Sequence, residues 1–324
     1  MSARQAGGRR IEAPPSGEQY GIAHGDSEAV VTQVGATLRR YSVGALDVID
    51  GFGAGARATD GRGQVLAPWP NRLTDGHYEY RGRRCQAPLN EIGRHDAIHG
   101  LVRWLDWTLV ERDPAAVTLA CAVRPQPGYE WHLHLQVTYA LDESGLTVTL
   151  EAVNADREPA PFGVGFHPYL TLGTTSIDGL DLTVPAAAFV DPDGPADGTS
   201  TSVAGTAHDF RQPRRIGPAE LDTAFSDLVV GRDGRAVARL GDPADGRSVE
   251  LWVDHAFRHL MVYTGDLVGE THRRRRAVAV EPMTCPPDAF RTGVDLVDLE
   301  PGTPWRCSWG LRQVVGPTRL REAP

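Results

Sequence analysis

Apolar and polar side chains alternate in two neighbouring runs, LHLQVTYAL at residues 133–141 and LTVTLEA at residues 146–152. A period of two places every apolar side chain on one face of an extended strand, whereas an amphipathic helix repeats about every 3.6 residues. Both runs are therefore predicted to be β-strands with one face in a core and the other in water.

The same period recurs along most of the chain, and convincing amphipathic helices are nearly absent. Ten further runs are predicted to be strands: residues 19–24, 29–34, 37–43, 107–111, 117–123, 180–184, 248–253, 260–264, 277–281 and 308–314. Eight Asp-Gly dipeptides, which favour reverse turns, punctuate the chain. Short strands without intervening helices predict an all-β fold, a large antiparallel β-sandwich or barrel.

The composition excludes several classes of function. Of the 324 residues, 33 are basic and 42 are acidic, and every basic residue is arginine. A chain without lysine is not a Schiff-base aldolase, a lysine-anchored pyridoxal-phosphate enzyme or a P-loop protein. The formal charge of −9 does not favour nucleic-acid binding.

The length suits one large all-β domain, which we expect to span residues 17–316, between a flexible N-terminal segment (1–16) and a C-terminal tail (317–324). The N-terminus lacks the apolar core of a signal peptide, and no apolar run approaches the roughly 18 residues of a membrane span. Four cysteines without a Cys-x-x-Cys pair predict free thiols: Cys85, Cys121, Cys285 and Cys307. We expect a cytoplasmic monomer or homodimer that binds neither nucleic acid nor membrane.

A first candidate for chemistry is Glu281, in the run AVAVEP at residues 277–282. If Val278 and Val280 enter the core, Glu281 lies on the opposite face, and Pro282 is expected to end the strand. Burial among small, apolar neighbours raises the pKa of a carboxyl group toward the range of a general base. The alternative is an exposed glutamate paired with an arginine.

A second candidate is His167, in the run GVGFHPYL at residues 163–170. Pro168 favours an extended conformation at His167, and Phe166 and Tyr169 are placed to shield the imidazole from bulk water. Histidine is the side chain best suited to exchange a proton near pH 7. The alternative is a buried histidine with a structural role.

Two further segments carry polar side chains of the kinds that bind sugar hydroxyls. Asn71 and Arg72 follow Trp69 in the run PWPNRL at residues 68–73, and Asp222 lies in the run LDTAF at residues 221–225. A loop that packs on itself and an aspartate that caps a turn are the alternatives.

Histidine pairs at a spacing of four residues suggest a zinc site, but their context does not favour one. His95 and His99 would share a face only on a helix, and Gly100 and the strand-like surroundings argue against that helix. His255 and His259 repeat the spacing with equally little support. No metal is expected.

In their order along the chain, these motifs resemble the aldose 1-epimerase (galactose mutarotase) family. The matching elements are Asn71-Arg72 with a following Asp-Gly turn, Ile98-His99-Gly100, His167-Pro168-Tyr169, Leu221-Asp222, and Val280-Glu281 with Pro287-Asp288-Ala289. The resemblance extends over most of the chain. It implies a galactose mutarotase-like supersandwich, a large antiparallel β-sandwich with an open sugar site and no cofactor.

Carried over residue by residue, the resemblance makes Glu281 the general base and His167 the general acid. Their substrate would be held by four residues: Arg72, His99, Asp222 and Asn71. Because each group of the pair alternates between acid and base, both pKa values are expected near neutrality. Four positions depart from the family pattern and leave the preferred sugar open: Asp96, Leu101, Thr171 and Met283.

The resemblance implies an aldose 1-epimerase that acts on a free hexose such as glucose or galactose. The four consecutive arginines at residues 273–276 keep a hexose-6-phosphate 1-epimerase open as an alternative, since arginines bind phosphate. A third hypothesis is a sugar-binding sandwich without catalysis. A glycoside hydrolase is less favoured, because Asp222 is the only candidate for a second carboxylate.

Overall fold

The computed structural model describes residues 14–190 and 198–314. The predicted flexible segment, residues 1–16, lies outside the described residues except for its last three, and the predicted tail, residues 317–324, lies wholly outside them. Ser16 is buried, and its carbonyl accepts a hydrogen bond of 3.1 Å from the N–H of Val34. The limits of the predicted domain stay a prediction.

The largest sheet has nine antiparallel strands, numbered here with all others in chain order. In spatial order they are β10 (Thr108–Arg112), β11 (Ala116–Val123), β12 (Leu133–Asp142), β13 (Gly145–Asn154), β27 (Trp305–Val314), β23 (Ser248–Val253), β22 (Ala236–Gly241), β17 (Asp181–Thr183) and β20 (Arg214–Arg215). Buried and accessible positions alternate along β12 and β13, as the period of two predicts.

The second sheet carries three residues of the candidate site: His167, Asp222 and Glu281. Its strands in spatial order are β19 (Ser200–Ser202), β18 (Ala186–Val190), β21 (Asp222–Leu228), β24 (His259–Tyr263), β25 (Val278–Met283), β15 (Gly165–Phe166) and β5 (Val65–Leu66), with β16 (Tyr169–Leu170) also paired to β25. Every pairing between its strands is antiparallel.

Smaller sheets and two short helices complete the described chain. One sheet has four strands: β1 (Gln19–His24), β2 (Ser27–Thr32), β3 (Leu38–Val43) and β4 (Leu46–Asp47). Three strand pairs are β6 (Arg72–Thr74) with β9 (Asp96–Ile98), β7 (His77–Tyr80) with β8 (Arg83–Gln86), and β14 (Ala160–Phe162) with β26 (Val297–Leu299). The helices are a 3₁₀ turn (Thr271–Arg273) and α1 (Ala289–Thr292).

The two large sheets share one hydrophobic core. Val278 and Val280 of β25 belong to the same buried cluster as the inward side chains of β12, β13 and β27. The ring of Phe166 lies 5.2 Å from that of Trp309, which joins β15 to β27 across the core. The predicted all-β antiparallel sandwich is therefore confirmed.

β25 is buried on both faces. Its valines face the main core, whereas Ala279 belongs to a separate small cluster with Tyr169 on the opposite side, and Glu281 is 2% exposed. The prediction that Pro282 ends this strand is wrong. Pro282 pairs with Leu260 inside β25, and the strand continues to Met283.

All twelve predicted runs contain strands, with ends shifted by at most three residues, but several others were missed. β18 has the sequence AAAFV, and alanine has a weak preference for strands. β21 buries the polar side chains of Thr223 and Ser226, so its polarity does not alternate in step with its burial. Local sequence cannot show the tertiary contacts that make these segments extended.

The four cysteines are free thiols, as predicted. Across residues 14–190 and 198–314, no helix combines the length and the apolar character needed to span a bilayer.

Candidate functional site

One open cavity of about 380 Å³ gathers all six residues singled out in the sequence. They come from separate parts of the chain: Asn71, Arg72, His99, His167, Asp222 and Glu281. β25 and the junction of β15 with β16 form part of its lining from the second sheet, and the β6–β9 pair contributes from the side. The fold thus brings together segments that are up to about 210 residues apart.

His167 and Glu281 face each other because of the strand register. Gly165 pairs with Met283, and Tyr169 pairs with Ala279. His167 lies two residues from both Gly165 and Tyr169, and Glu281 lies two residues from both Met283 and Ala279. The register therefore places His167 opposite Glu281. The distance between His167 Nε2 and Glu281 Oε1 is 3.3 Å.

Burial sets the protonation of this pair. Desolvation, and then the charge of Asp222, raise the pKa of Glu281 well above its usual range. Desolvation, followed by the charges of Arg62 and Arg103, lowers the pKa of His167 to about 3. The expected pKa near neutrality is therefore wrong for His167, because an imidazolium without water is costly. Burial therefore favours the arrangement in which both groups are neutral, with the shared proton on Glu281 and not on His167.

Two polar atoms of the pair remain available. Within the described residues, neither His167 Nδ1 nor Glu281 Oε2 has a hydrogen-bond partner, although both atoms are buried. Buried polar groups are usually satisfied, and exceptions concentrate where a site binds or reacts. The second carboxylate oxygen can therefore accept a proton from a bound hydroxyl without breaking an existing hydrogen bond.

The imidazole of His167 is held by stacking and by close packing. The ring of Tyr169 stacks on it, with 5.0 Å between the ring centroids and an angle of 16° between the planes. The guanidinium of Arg62 lies 4.5 Å from the centroid of the Tyr169 ring. A Cβ on Gly61 would lie 2.4 Å from His167 Cδ2. The predicted shielding by Tyr169 is present, but Phe166 points into the core instead, since neighbouring residues of a strand face opposite ways.

Asn71 and His99 are fixed by unusual backbone geometry. Their φ angles are +53° and +63°, in the left-handed region that residues other than glycine seldom occupy. The N–H of Asn71 donates to His99 Nδ1 at 3.1 Å, so the neutral imidazole carries its hydrogen on Nε2. Burial, and then the charge of His167, lower the pKa of His99 well below its usual value. His99 is therefore a neutral hydrogen-bond donor.

Arg72 is oriented by a carboxylate that the sequence did not reveal. Its Nε and Nη2 donate to the two oxygens of Glu91 at 2.8 and 3.1 Å, which fixes the plane of the guanidinium. Its Nη1 lies 3.6 Å from Oδ2 of Asp222, a half-exposed side chain at the start of β21. These two groups present a donor and an acceptor to the cavity.

The sequence also missed Arg62, Glu91 and Arg103 as lining or supporting residues. Two of them act through a partner that is distant in the chain: Arg62 through Tyr169, and Glu91 through Arg72. One signal was present, because the Asp60-Gly61 turn immediately precedes Arg62. No local pattern marks Glu91 or Arg103.

The histidine pairs do not gather metal ligands. His95 is exposed and contacts Asp75, whereas His99 is buried in the cavity, and His259 pairs with Asp295. Throughout the described parts of the chain, no group of three or more His, Cys, Asp or Glu side chains is arranged to hold an ion.

The arginine run does not reach this cavity. None of residues 273–276 lines it. Arg273 pairs with Asp50, Arg274 donates to the carbonyl of Val268, and Arg275 pairs with Asp178. The alternative of a hexose-6-phosphate substrate assumed that this run binds the phosphate. The position of the run outside the cavity gives that assumption no support.

Comparison with known proteins places this fold in the class of carbohydrate epimerases, and the family model of aldose 1-epimerase matches residues 18–311. The chain is 34% identical over 301 residues to the uncharacterized protein YihR of Escherichia coli K12, covering 91% of this chain and 93% of YihR. It is 24% identical over 263 residues to the galactose mutarotase of Rattus norvegicus, covering 74% and 75%.

Among solved structures, the GalM/aldose epimerase homologue of Caenorhabditis elegans has a TM-score of 0.82 at 18% identity, covering 93% of this chain and 99% of that one. The protein belongs to the aldose 1-epimerase family. The resemblance seen in the ordered motifs, and the galactose mutarotase-like fold that it implied, are confirmed.

The lowered pKa of His167 predicts that its imidazole stays neutral as the pH falls from about 8 to about 5. The protonation of the ring nitrogens can be measured by ¹⁵N NMR. The unfolded chain would take up a proton below the ordinary pKa of 6.5, which the folded chain does not do until about pH 3. His167 therefore lowers stability progressively as the pH falls below 6.5.

A His167→Gln variant is the control, because it assigns the signal and should lose that part of the pH dependence of unfolding. A ring that titrates near pH 6.5 in the folded protein would contradict the assignment of a neutral imidazole.

Proposed function

We propose that the protein is an aldose 1-epimerase that interconverts the α and β anomers of a free, uncharged hexose such as glucose or galactose. The observation that carries the proposal is the contact of 3.3 Å between His167 and Glu281 in a sugar-sized cavity. The hydroxyl oxygen O1 and the ring oxygen O5 are bonded to the same carbon. An acid and a base that serve both oxygens must therefore lie side by side, as these two do.

The reaction needs one proton on the pair. Glu281 takes the proton of the O1 hydroxyl while His167 gives a proton to O5, and the C1–O5 bond breaks to leave an open-chain aldehyde. Rotation about C1–C2 presents the other face of C1, and the ring closes with both transfers reversed. No electrons leave the sugar, and the pair ends with the proton it started with.

The shared proton must sit on His167 at the start of this sequence. In the cavity without sugar, burial favours the neutral arrangement, with the proton on Glu281. Transfer from Oε1 to Nε2 across 3.3 Å changes neither the proton count nor the net charge of the pair. Hydroxyl groups of a bound sugar supply the hydrogen bonds that stabilise the charged arrangement.

The remaining lining residues suit hydroxyl recognition. His99 donates from Nε2, Arg72 donates from Nη1, and Asp222 accepts, while Asn71 holds His99 through its backbone N–H. With the pair neutral, the other charged lining groups balance, because three guanidiniums face three carboxylates: Arg72, Arg94, Arg103, Asp60, Glu91 and Asp222. A lining without net charge supports a neutral substrate.

The free thiols support a reducing compartment such as the cytoplasm.

One observation keeps an anionic hexose as the second candidate. Among the described residues, no carboxylate lies within ion-pairing distance of Arg103, which contacts Gln64 and the carbonyl of Ile98 instead. Burial lowers the pKa of Arg103 to about 10, and it lines the cavity. A phosphate or carboxylate group of the substrate would form an ion pair with that guanidinium.

Glu281→Gln and His167→Ala are each expected to slow mutarotation of glucose or galactose by about 10²–10⁴-fold, measured by polarimetry, because each removes a general acid–base group. Glu300→Gln and His77→Ala, at exposed positions outside the cavity, are the controls and should keep the full rate. Near-full activity in either site variant would overturn the assigned roles.

Stability separates lost chemistry from lost folding in Glu281→Gln. The raised pKa means that stability falls as the pH rises from 4.5 toward the folded pKa, since the unfolded chain releases its proton first. Replacing the acid by an amide removes that cost, so this variant should unfold at a higher temperature near pH 7.

Sugar binding measured by calorimetry, with no acceleration of mutarotation by the unmodified protein, would instead establish a non-catalytic binding sandwich.

Gly61→Ala is expected to lower the mutarotation rate by at least about tenfold, because the new methyl group displaces the imidazole of His167 from Glu281. Gly234→Ala is the matched control, since its φ of +77° is close to the +74° of Gly61 and no atom lies within 4 Å of its Cβ position. Both variants should lose about 1 kcal/mol of stability from backbone strain. Equal rates in the two variants would show that the contact does not position His167.

The substrate class is decided by comparing rates on glucose and glucose-6-phosphate in the unmodified protein and in Arg103→Met. We expect faster turnover of glucose and less than a few-fold change in that rate in Arg103→Met, because hydroxyl binding falls to other residues. A strong preference for the phosphate that disappears in Arg103→Met would replace the neutral hexose by the anionic one. The mutarotase reaction itself would then still stand.

A further inference from the structure

A second cavity, of about 280 Å³, shares no lining residue with the first. Its walls come from β3, the segment around β4, the residues that follow β16, and the end of the 3₁₀ helix with the turn after it. Four of its lining residues are arginines: Arg39, Arg40, Arg273 and Arg276. The reaction proposed above uses none of them.

A β-bulge directs two neighbouring arginines into this cavity. Along β3, Arg40 pairs with Val30 and Leu38 pairs with Val31, so Arg39 is an extra residue without a partner on β2. Consecutive residues of a regular strand point to opposite faces, whereas a bulge redirects one of them. Both Arg39 and Arg40 consequently line the same cavity.

The arginine run supplies the other two guanidiniums. The N–H of Arg276 donates to the carbonyl of Arg273 at 3.2 Å, which closes a β-turn of four residues. A β-turn brings its first and last residues close together. Arg273 and Arg276 therefore face the cavity, while Arg275 pairs elsewhere with Asp178 and Asp266.

Two carboxylates also line the cavity, and both are already paired. Asp47 lies 3.3 Å from Arg40. Asp50 contacts Arg273 at 3.2 Å and Arg62, from outside the lining, at 3.4 Å. Four arginines against two aspartates leave the lining residues with a charge of +2 in a chain whose net charge is −9, and Glu270, from outside the lining, pairs with Arg273 at 2.9 Å. A positive concavity on an acidic protein concentrates anions.

Arg39 and Arg276 carry the unbalanced charge. Within residues 14–190 and 198–314, no carboxylate lies within ion-pairing distance of either one. Arg39 donates from Nη1 to the carbonyl of Phe52 at 3.0 Å, but its buried Nε has no partner among those residues. Burial, and then the charge of Arg40, lower the pKa of Arg39. An anion in the cavity would satisfy that donor and relieve that repulsion.

We propose that this second cavity binds a phosphate group, held by Arg39 and Arg276 with Arg40 and Arg273 at its sides. Guanidinium groups match the oxygens of phosphate with paired N–H donors. The volume corresponds to roughly nine water molecules, which is more than one inorganic phosphate fills, so it accommodates a phosphate carried by a small organic group. None of these four arginines lines the first cavity.

Isothermal titration calorimetry with three probes tests the site: inorganic phosphate, glucose-6-phosphate and AMP. We expect saturable binding of at least one probe, weakened about tenfold or more in the double variant Arg39→Gln/Arg276→Gln, which loses two charge-assisted contacts. The order of affinities identifies the source of the phosphate. Arg276→Gln alone, at an exposed position, should show a smaller loss and provides the test if the double variant fails to fold.

Two controls locate the binding. Arg232→Gln removes an exposed arginine outside both cavities and should leave the affinity unchanged. Arg103→Met distinguishes the sugar cavity, and glucose should not compete with the probe. The absence of saturable binding, or binding that survives in Arg39→Gln/Arg276→Gln and is lost in Arg103→Met, would overturn the proposal. Both Arg39 and Arg276 variants should keep the mutarotation rate, whatever that rate is in the unmodified protein.

Discussion

The contact between the carboxyl group of Glu281 and the imidazole of His167 is the constraint on which the site depends. Two ionisable groups withdrawn from water are tolerated only if they share a proton or a hydrogen bond. The interruption between β15 and β16 leaves the ladder open at the position opposite Glu281, so side chains rather than backbone groups meet there. The pair of ionisable side chains thus lies at a gap in the pairing of β25 with β15 and β16.

β25 links that site to the stability of the whole sandwich. Alternate residues of one strand anchor the core between the large sheets and form the floor of the sugar cavity. A shift in register by one residue would place Glu281 among the core valines. The packing of Val278 and Val280 therefore helps to fix the position of the Glu281 carboxyl group.

The sequence predicted the features that local periodicity controls. Alternation along β12 and β13 gave the all-β class, and the opposite faces of Val280 and Glu281 followed from the period of two. The six cavity residues came from ordered motifs and family resemblance, which carry information that a single segment lacks. Their roles in the reaction remain predictions.

Features that depend on long-range contacts could not be predicted in this way. Glu91 matters because it holds Arg72, and Arg62 matters because it stacks on Tyr169; neither partner is near in sequence. Pro282 was expected to end β25, yet the strand passes through it: Pro282 pairs with Leu260 of β24, and β15 pairs with the next residue, Met283. The low pKa of His167 follows from complete burial, which no spacing reveals.

The cationic groups that line both cavities are guanidiniums, and the chain contains no lysine at all. The open-chain aldehyde in the proposed reaction is an electrophile that condenses with primary amines of lysine side chains to form imines. Guanidinium groups are always protonated at physiological pH and do not act as amine nucleophiles in that way. In the proposed reaction, the cavity would therefore hold a reactive sugar aldehyde among positive charges without a lysine amine that would capture it.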